Sequence, residues 1–283
     1  MTVLFALIRA AHIASLMVAW GGGAYLFLIR EVHDALPKAE RLRLLFACAA
    51  CIALVTAILS LALAADQMSG DWSAAPDMQS VQIVVVDTLY GHVFLARVAL
   101  IAALCLASGL GFHSVQAPFA GAALAALALT SHAAAGGSLL LATNDAVHLV
   151  CGGFWIGGLC VLGLMLRERK AGLPQALPVF SLWGTYAVGA LAVAGTINAL
   201  AILQGAPARW SPAYMTILAI KIVLAAVMIA LALANRFRLT PAICEGSATA
   251  PQTLAWNVIV ELVIGAAIIT LAAFLGLLPP SRG

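Results

Sequence analysis

Charge is scarce in this chain. Only 9% of its 283 residues are Asp, Glu, Lys or Arg, and tyrosine occurs four times. A water-facing domain carries charge on about a quarter of its residues, so the deficit excludes an ordinary soluble enzyme, a nucleic-acid binder and a disordered protein. No G-x-x-x-x-G-K-[S/T] segment is present to cradle a nucleotide, and no cysteine pair in the expected outer loops points to a disulfide. What abounds is apolar: 64% of the residues are hydrophobic and the mean hydropathy is +1.08. The solvent that suits such a surface is lipid.

A hydrocarbon core of about 30 Å takes roughly 20 apolar residues per helix. By that measure the chain reads as eight spans, at 4–28, 42–65, 89–111, 115–135, 145–166, 178–204, 213–235 and 252–278. Runs this long, rich in Leu, Ala and Ile, are helices; barrel strands are about half as long and alternate in polarity. The fold class is therefore all-α, a polytopic membrane protein forming a single integral domain over 1–283. The first run passes into Arg30 and Glu31 without a small-residue cleavage site, which marks a retained span rather than a signal peptide.

Orientation follows from the bases in the connections. The odd connections hold Arg30, Lys38, Arg41, Arg43, Arg167, Arg169, Lys170, Arg236 and Arg238, whereas the even ones hold Arg209, and Arg282 lies in the tail. Odd connections are expected on the cytoplasmic side and both termini on the periplasmic side. The loop over 66–88 carries Asp66, Asp71, Asp77 and Asp87 without a base, a surface suited to cations.

The chain also resembles itself. HIASLMVAWGGG from His12 aligns without gaps on HLVCGGFWIGGL from His148, placing Gly21 and Gly22 on Gly157 and Gly158. YGHVFLARVAL from Tyr90 aligns on YMTILAIKIVL from Tyr214, placing Arg97 on Lys221. The pattern predicts two four-helix halves, 1–140 and 141–283, in parallel repeat. Paired glycines serve close helix packing.

Polar groups inside a membrane are costly and mark function. His92, His132 and His148 fall near the outer ends of their spans, and His12 lies deeper in the first; His33 and His113 fall in connections and receive no role. Imidazoles converging near one face suit copper or another borderline metal. His12 and His148 form the strongest pair because the repeat sets them at equivalent places. Weaker candidates are Cys48 and Cys51, three apart on one helical face, and Met68 and Met78 in the acidic loop, since thiolate and thioether prefer Cu(I). Arg97 and Lys221 are expected to pair with Glu261 or Asp87, and Glu261 is a candidate proton or charge carrier. Asn198 adds a polar group to the sixth span.

These segments resemble the CopD/PcoD family of bacterial copper resistance membrane proteins, most clearly in HLVCGGFWIGGL, in FSLWGTYAVGALAVAGTINALAIL from Phe180, in AYMTILAIKIVLAAVMIALALANRFRLTP from Ala213 and in ELVIGAAIITLAAFLGLLPP from Glu261. The resemblance implies an inner-membrane protein without catalytic activity. It would move copper, as Cu(I) or Cu(II), from periplasm toward cytoplasm beside a soluble CopC-type periplasmic partner, with His12, His132 and His148 as intramembrane ligands. The alternative is a b-type cytochrome that uses paired histidines as haem ligands. A third is an assembly factor for a copper enzyme.

Overall fold

The computed structural model describes residues 2–69, 82, 85–111, 113–131, 138–202 and 211–278, and every regular element among them is helical. In chain order these are α1 (Thr2–Leu28), α2 (Ala39–Ser69), α3 (Leu89–Gly109), α4 (His113–Ala126), α5 (Leu139–Arg167), α6 (Leu173–Ile202), α7 (Pro212–Ala234), α8 (Thr240–Cys244) and α9 (Ala250–Leu275). The local sequence sets several starts. Thr88 and Ser138 cap α3 and α5, their hydroxyls accepting from the amides of Gly91 and Leu141. Pro212 opens α7, where its missing N–H costs no hydrogen bond.

Seven helices among the described residues are long and apolar enough to cross a bilayer. The stretch expected as a fourth span is shorter: α4 runs into a tight 3₁₀ turn over Leu127–Thr130, giving an apolar helix over Val115–Thr130. At about 1.5 Å per residue it covers roughly 24 Å, short of the hydrocarbon thickness. Residues 213–235, expected to end a span, instead continue. The helix widens into a π-helical turn over Asn235–Leu239 and resumes as α8, so Arg236 and Arg238 lie on a helix rather than in a connection.

α1 and α5 form the axis of the bundle, packed on each other and each packed on α4 and α9; α2 adds to α1 and α6 to α5. Glycine permits this crossing. A Cβ at Gly21 would sit 2.0 Å from the Gly153 carbonyl oxygen, and one at Gly157 would sit 2.4 Å from the Gly22 amide nitrogen. The two backbones therefore touch, which small residues alone allow. On either side of the crossing the glycines receive rings: Phe46 of α2 lies against Gly22 and Phe180 of α6 against Gly158. Large apolar side chains such as Leu140, Tyr186, Val193, Val223, Phe237, Trp256 and Val263 point outward. A soluble protein does not display so wide an apolar surface, whereas lipid solvates it.

Several helix pairings earlier in the chain have a counterpart later in it. α1 packs on α2 as α5 packs on α6, α3 on α4 as α7 on α9, and α1 on α4 as α5 on α9. One pairing is broken: α2 packs on α3, but α6 and α7 make little contact among the described residues.

The connections after α1 and α5 meet at one end of the bundle. Glu168 accepts from the Lys38 amide at 2.9 Å and pairs with Arg41 and Lys170, each at 3.3 Å. Gly172 donates its amide to the Asp34 carbonyl at 3.2 Å, and a Cβ there would lie 2.5 Å from the Ala35 nitrogen. Burial works to raise the Glu168 carboxyl, but the Lys38 amide, Lys170 and Arg41 outweigh it and hold the group below its usual range.

Candidate functional site

The end of the bundle remote from Glu168 holds His12, Ser15, Thr56 and Arg97, four of the buried polar residues among those described. His12 of α1 is 3% exposed. Its Nδ1 lies 2.9 Å from Thr56 Oγ1 and 3.2 Å from the Ala53 carbonyl oxygen, both on α2, and its Nε2 meets the Arg97 guanidinium of α3. A guanidinium only donates, so Nε2 accepts and the ring proton sits on Nδ1. Thr56 can take that proton as acceptor because its own hydroxyl donates to the Ile52 carbonyl at 2.6 Å. His12 is thus a neutral imidazole with both nitrogens engaged.

His148 stands on α5 at the position that the sequence alignment sets opposite His12. Its Nδ1 faces the Leu191 carbonyl of α6 at 3.2 Å, as His12 faces Ala53 of α2. A carbonyl accepts, so Nδ1 carries the proton and the Nε2 lone pair is left for another partner. Gly195 makes room for the ring: a Cβ there would stand 3.0 Å from His148 Cε1. Lys221, aligned on Arg97 by the repeat, lies within electrostatic range of His148 and of Asp145. Asp145 accepts from Asn198 Nδ2 at 3.0 Å, and Asn144 Nδ2 donates to Asn198 Oδ1 at 2.7 Å and to the Ala194 carbonyl at 2.9 Å. The offset that puts His12 on His148 puts Arg9 on Asp145, so α1 and α5 carry opposite charge one turn before their histidines. Arg9 reaches across to the Gly276 carbonyl at 3.4 Å.

The expected partners of Arg97 and Lys221 are therefore different ones. Arg97 binds His12, and Lys221 lies within electrostatic range of Asp145 and His148 without a direct ion pair among the described residues; neither pairs with Glu261 or Asp87. Glu261, 1% exposed, sits nearer the Glu168 end, where Trp155 Nε1 donates to Oε2 at 3.2 Å and Asn235 Nδ2 to Oε1 at 2.5 Å. Depth in a span is legible from hydropathy, but which helices adjoin is not, and the pairing turns on adjacency.

The remaining candidates stand apart. His92 is exposed and bonds the Val86 carbonyl at 2.9 Å through Nε2. Cys48 and Cys51 are free and exposed on the outer face of α2. His132 and Met78 lie outside the described residues, as does the side chain of Met68. Among the described residues no three His, Cys, Asp or Glu side chains come together as a metal site. As a single ligand, His148 fits copper: a backbone carbonyl on Nδ1 fixes the tautomer that presents Nε2, the usual support for a metal-bound imidazole. His12 has the same support, but Arg97 must leave Nε2 first.

Asp145, Asn144, Thr56 and Asn235 were not singled out by sequence, and Trp155, part of the His148 motif, was given no link to Glu261. Asp145 carries the one readable signal, a carboxylate one turn before a span histidine; it stands at the edge of an apolar window and reads there as a boundary residue.

Two family models match the chain: copper resistance protein D-like, N-terminal domain over residues 1–141 and copper resistance protein D over 174–275. Inner membrane protein YebZ of Escherichia coli is 29% identical, covering 96% of this chain and 97% of its own length. Copper resistance protein D of Pseudomonas syringae pv. tomato is 30% identical, covering 96% of each. No solved structure matches. With seven membrane-length apolar helices and whole-length relatives of this kind, the chain belongs to the copper resistance protein D family of multi-pass inner-membrane proteins.

Proposed function

We propose that this protein carries copper across the inner membrane, from periplasm toward cytoplasm. The observation that supports this best is the repeat-equivalent pair His12 and His148. Each is buried or half-buried near the end remote from the basic connections, and each has Nδ1 turned to a carbonyl of the following helix. His148 is the primary ligand. His12 joins it once Arg97 withdraws, His132 completes the set, and His92 with Met68 and Met78 gathers the ion at the entrance. Cys48 and Cys51 are the weakest members, since both face the lipid side of α2. Arg97 acts as a tethered cation that occupies the His12 site until copper arrives, while Lys221 adds positive charge near the open His148 site.

The layout that suits this function is two four-helix halves in parallel repeat with both termini periplasmic. It draws support from the matching helix pairings of the halves and from family models falling one in each half. The α4 segment would count as the eighth crossing despite its length, because α1, α3 and α5 enclose it. A CopC-type periplasmic protein delivers the ion. Neither relative is named as a cytochrome.

The test is copper-dependent accumulation in cells expressing the wild type, His12→Ala or His148→Ala at equal membrane levels. Loss in both variants is expected. Unchanged accumulation in both refutes the site.

A further inference from the structure

Glu261 has an arrangement that copper ligation does not use. α9 begins at Ala250, so Glu261 lies about 16 Å along it, close to the middle of a hydrocarbon core of about 30 Å. Each carboxylate oxygen receives one neutral donor, from Trp155 and Asn235, and Asn257 Nδ2 fixes Asn235 in turn by donating to its Oδ1 at 2.7 Å. Asn235 owes its position to the π-helical turn, a feature that often marks functional sites. No basic side chain among the described residues pairs with Glu261.

A cavity of about 80 Å³ opens beside it, lined by Trp155, Asn235, Ser181, Thr185, Arg236 and Glu261 among apolar residues. It lies where α6 and α7 fail to pack, although their counterparts α2 and α3 do. That volume accommodates several waters. Arg236 lines the cavity as well, its guanidinium held by the Ser181 carbonyl at 2.5 Å and Thr185 Oγ1 at 2.7 Å and so directed to α6 rather than into an ion pair with Glu261.

The other charged groups on the packed elements stand elsewhere. α1 brings Arg9, α5 brings Asp145 and His148, and α7 brings Lys221, all toward the opposite end. Arg167 and Arg238 stand at the basic end, and α6 and α8 carry no charge. The polar lining is carboxylate, amide, hydroxyl, indole N–H and the Arg236 guanidinium, without imidazole, thiol or thioether, which offers soft copper no preferred donor.

We propose that Glu261 is a proton-exchange site, reached by water through this cavity from the basic end of the bundle. A hydronium in the cavity gives its proton to a Glu261 oxygen and leaves as water; release is the reverse, from the neutral acid to cavity water. Both states are accommodated: the two N–H donors hold the carboxylate, and cavity water accepts from the acid. This goes beyond the copper reading and stands without it.

The experiment is pH-dependent infrared difference spectroscopy on the full-length protein in nanodiscs, without copper. A protonated-carboxyl stretch should grow on acidification in the wild type, vanish in Glu261→Gln and return in Glu261→Asp. In D2O it should shift promptly, and more slowly in Val188→Trp, which fills the cavity wall. Absence of a Glu261-dependent band, or a band that resists deuteration in the wild type, overturns the proposal. A band displaced by sodium at constant pH overturns it in favour of a metal-cation site.

Discussion

Replacing Arg97 by methionine is predicted to strengthen copper binding. Arg97 is 6% exposed and donates to His12 Nε2, the atom a metal would need. A hydrogen bond from a charged donor contributes about 1.5–3 kcal/mol, and copper must give up that sum to displace the guanidinium. Each 1.4 kcal/mol is tenfold in affinity, so Arg97→Met should tighten copper binding by roughly 10- to 150-fold. Removing a positive charge would also favour any cation nearby, and a double-mutant cycle separates the two effects. The assay is competition against a chromophoric copper chelator with purified wild type, Arg97→Met, His12→Ala and the double variant. The gain should largely disappear in the His12→Ala background. An equal gain with and without His12, or no gain at all, refutes the displacement argument.

Further predictions concern the bundle and its basic end. Gly157→Ala places a Cβ against the Gly22 backbone and should cost about 1–3 kcal/mol as overpacking, read as a lower Tm in detergent. Gly189→Ala, where nothing lies within 4 Å, should leave Tm unchanged. Glu168 has a folded pKa below its ordinary value, so its contribution to stability is present above the ordinary glutamate range and is lost as pH falls through the lower folded value. Glu168→Gln should therefore lower stability near neutrality and flatten the acid limb of a Tm-against-pH profile. An unaltered acid limb would show that the Lys38, Arg41 and Lys170 contacts do not stabilise the fold. Asp145→Asn should loosen the hold on Lys221 and weaken copper retention by a charge-dependent amount, measured by the same chelator competition at low and high salt.

Much of the architecture was legible because bilayer thickness and backbone satisfaction leave few choices. Apolar runs predicted α1, α2, α3, α5, α6, α7 and α9. The clustering of bases predicted that the connections after α1 and α5 share an end, as the Glu168 contacts show. The glycine pairs predicted close packing, and the backbones of α1 and α5 meet at Gly21 and Gly157. What escaped depends on which helix faces which. Composition places Arg97 inside a span but cannot tell that α3 turns it onto His12 rather than toward Glu261. It marks Cys48 and Cys51 as sharing a face without revealing that the face is the lipid-exposed one. The π-helical turn at Asn235 leaves no trace in hydropathy, because the run stays apolar through Ala234 and the bases that follow read as a connection.

Copper content of the purified protein tests the central claim most directly. Wild-type protein, His148→Ala and His12→Ala would be saturated with copper, washed by gel filtration and analysed for metal per chain. Wild type should retain copper stoichiometrically, His148→Ala should lose nearly all of it, and His12→Ala should retain it with weakened affinity. Full retention by His148→Ala, or a wild type that holds no copper, would contradict the account.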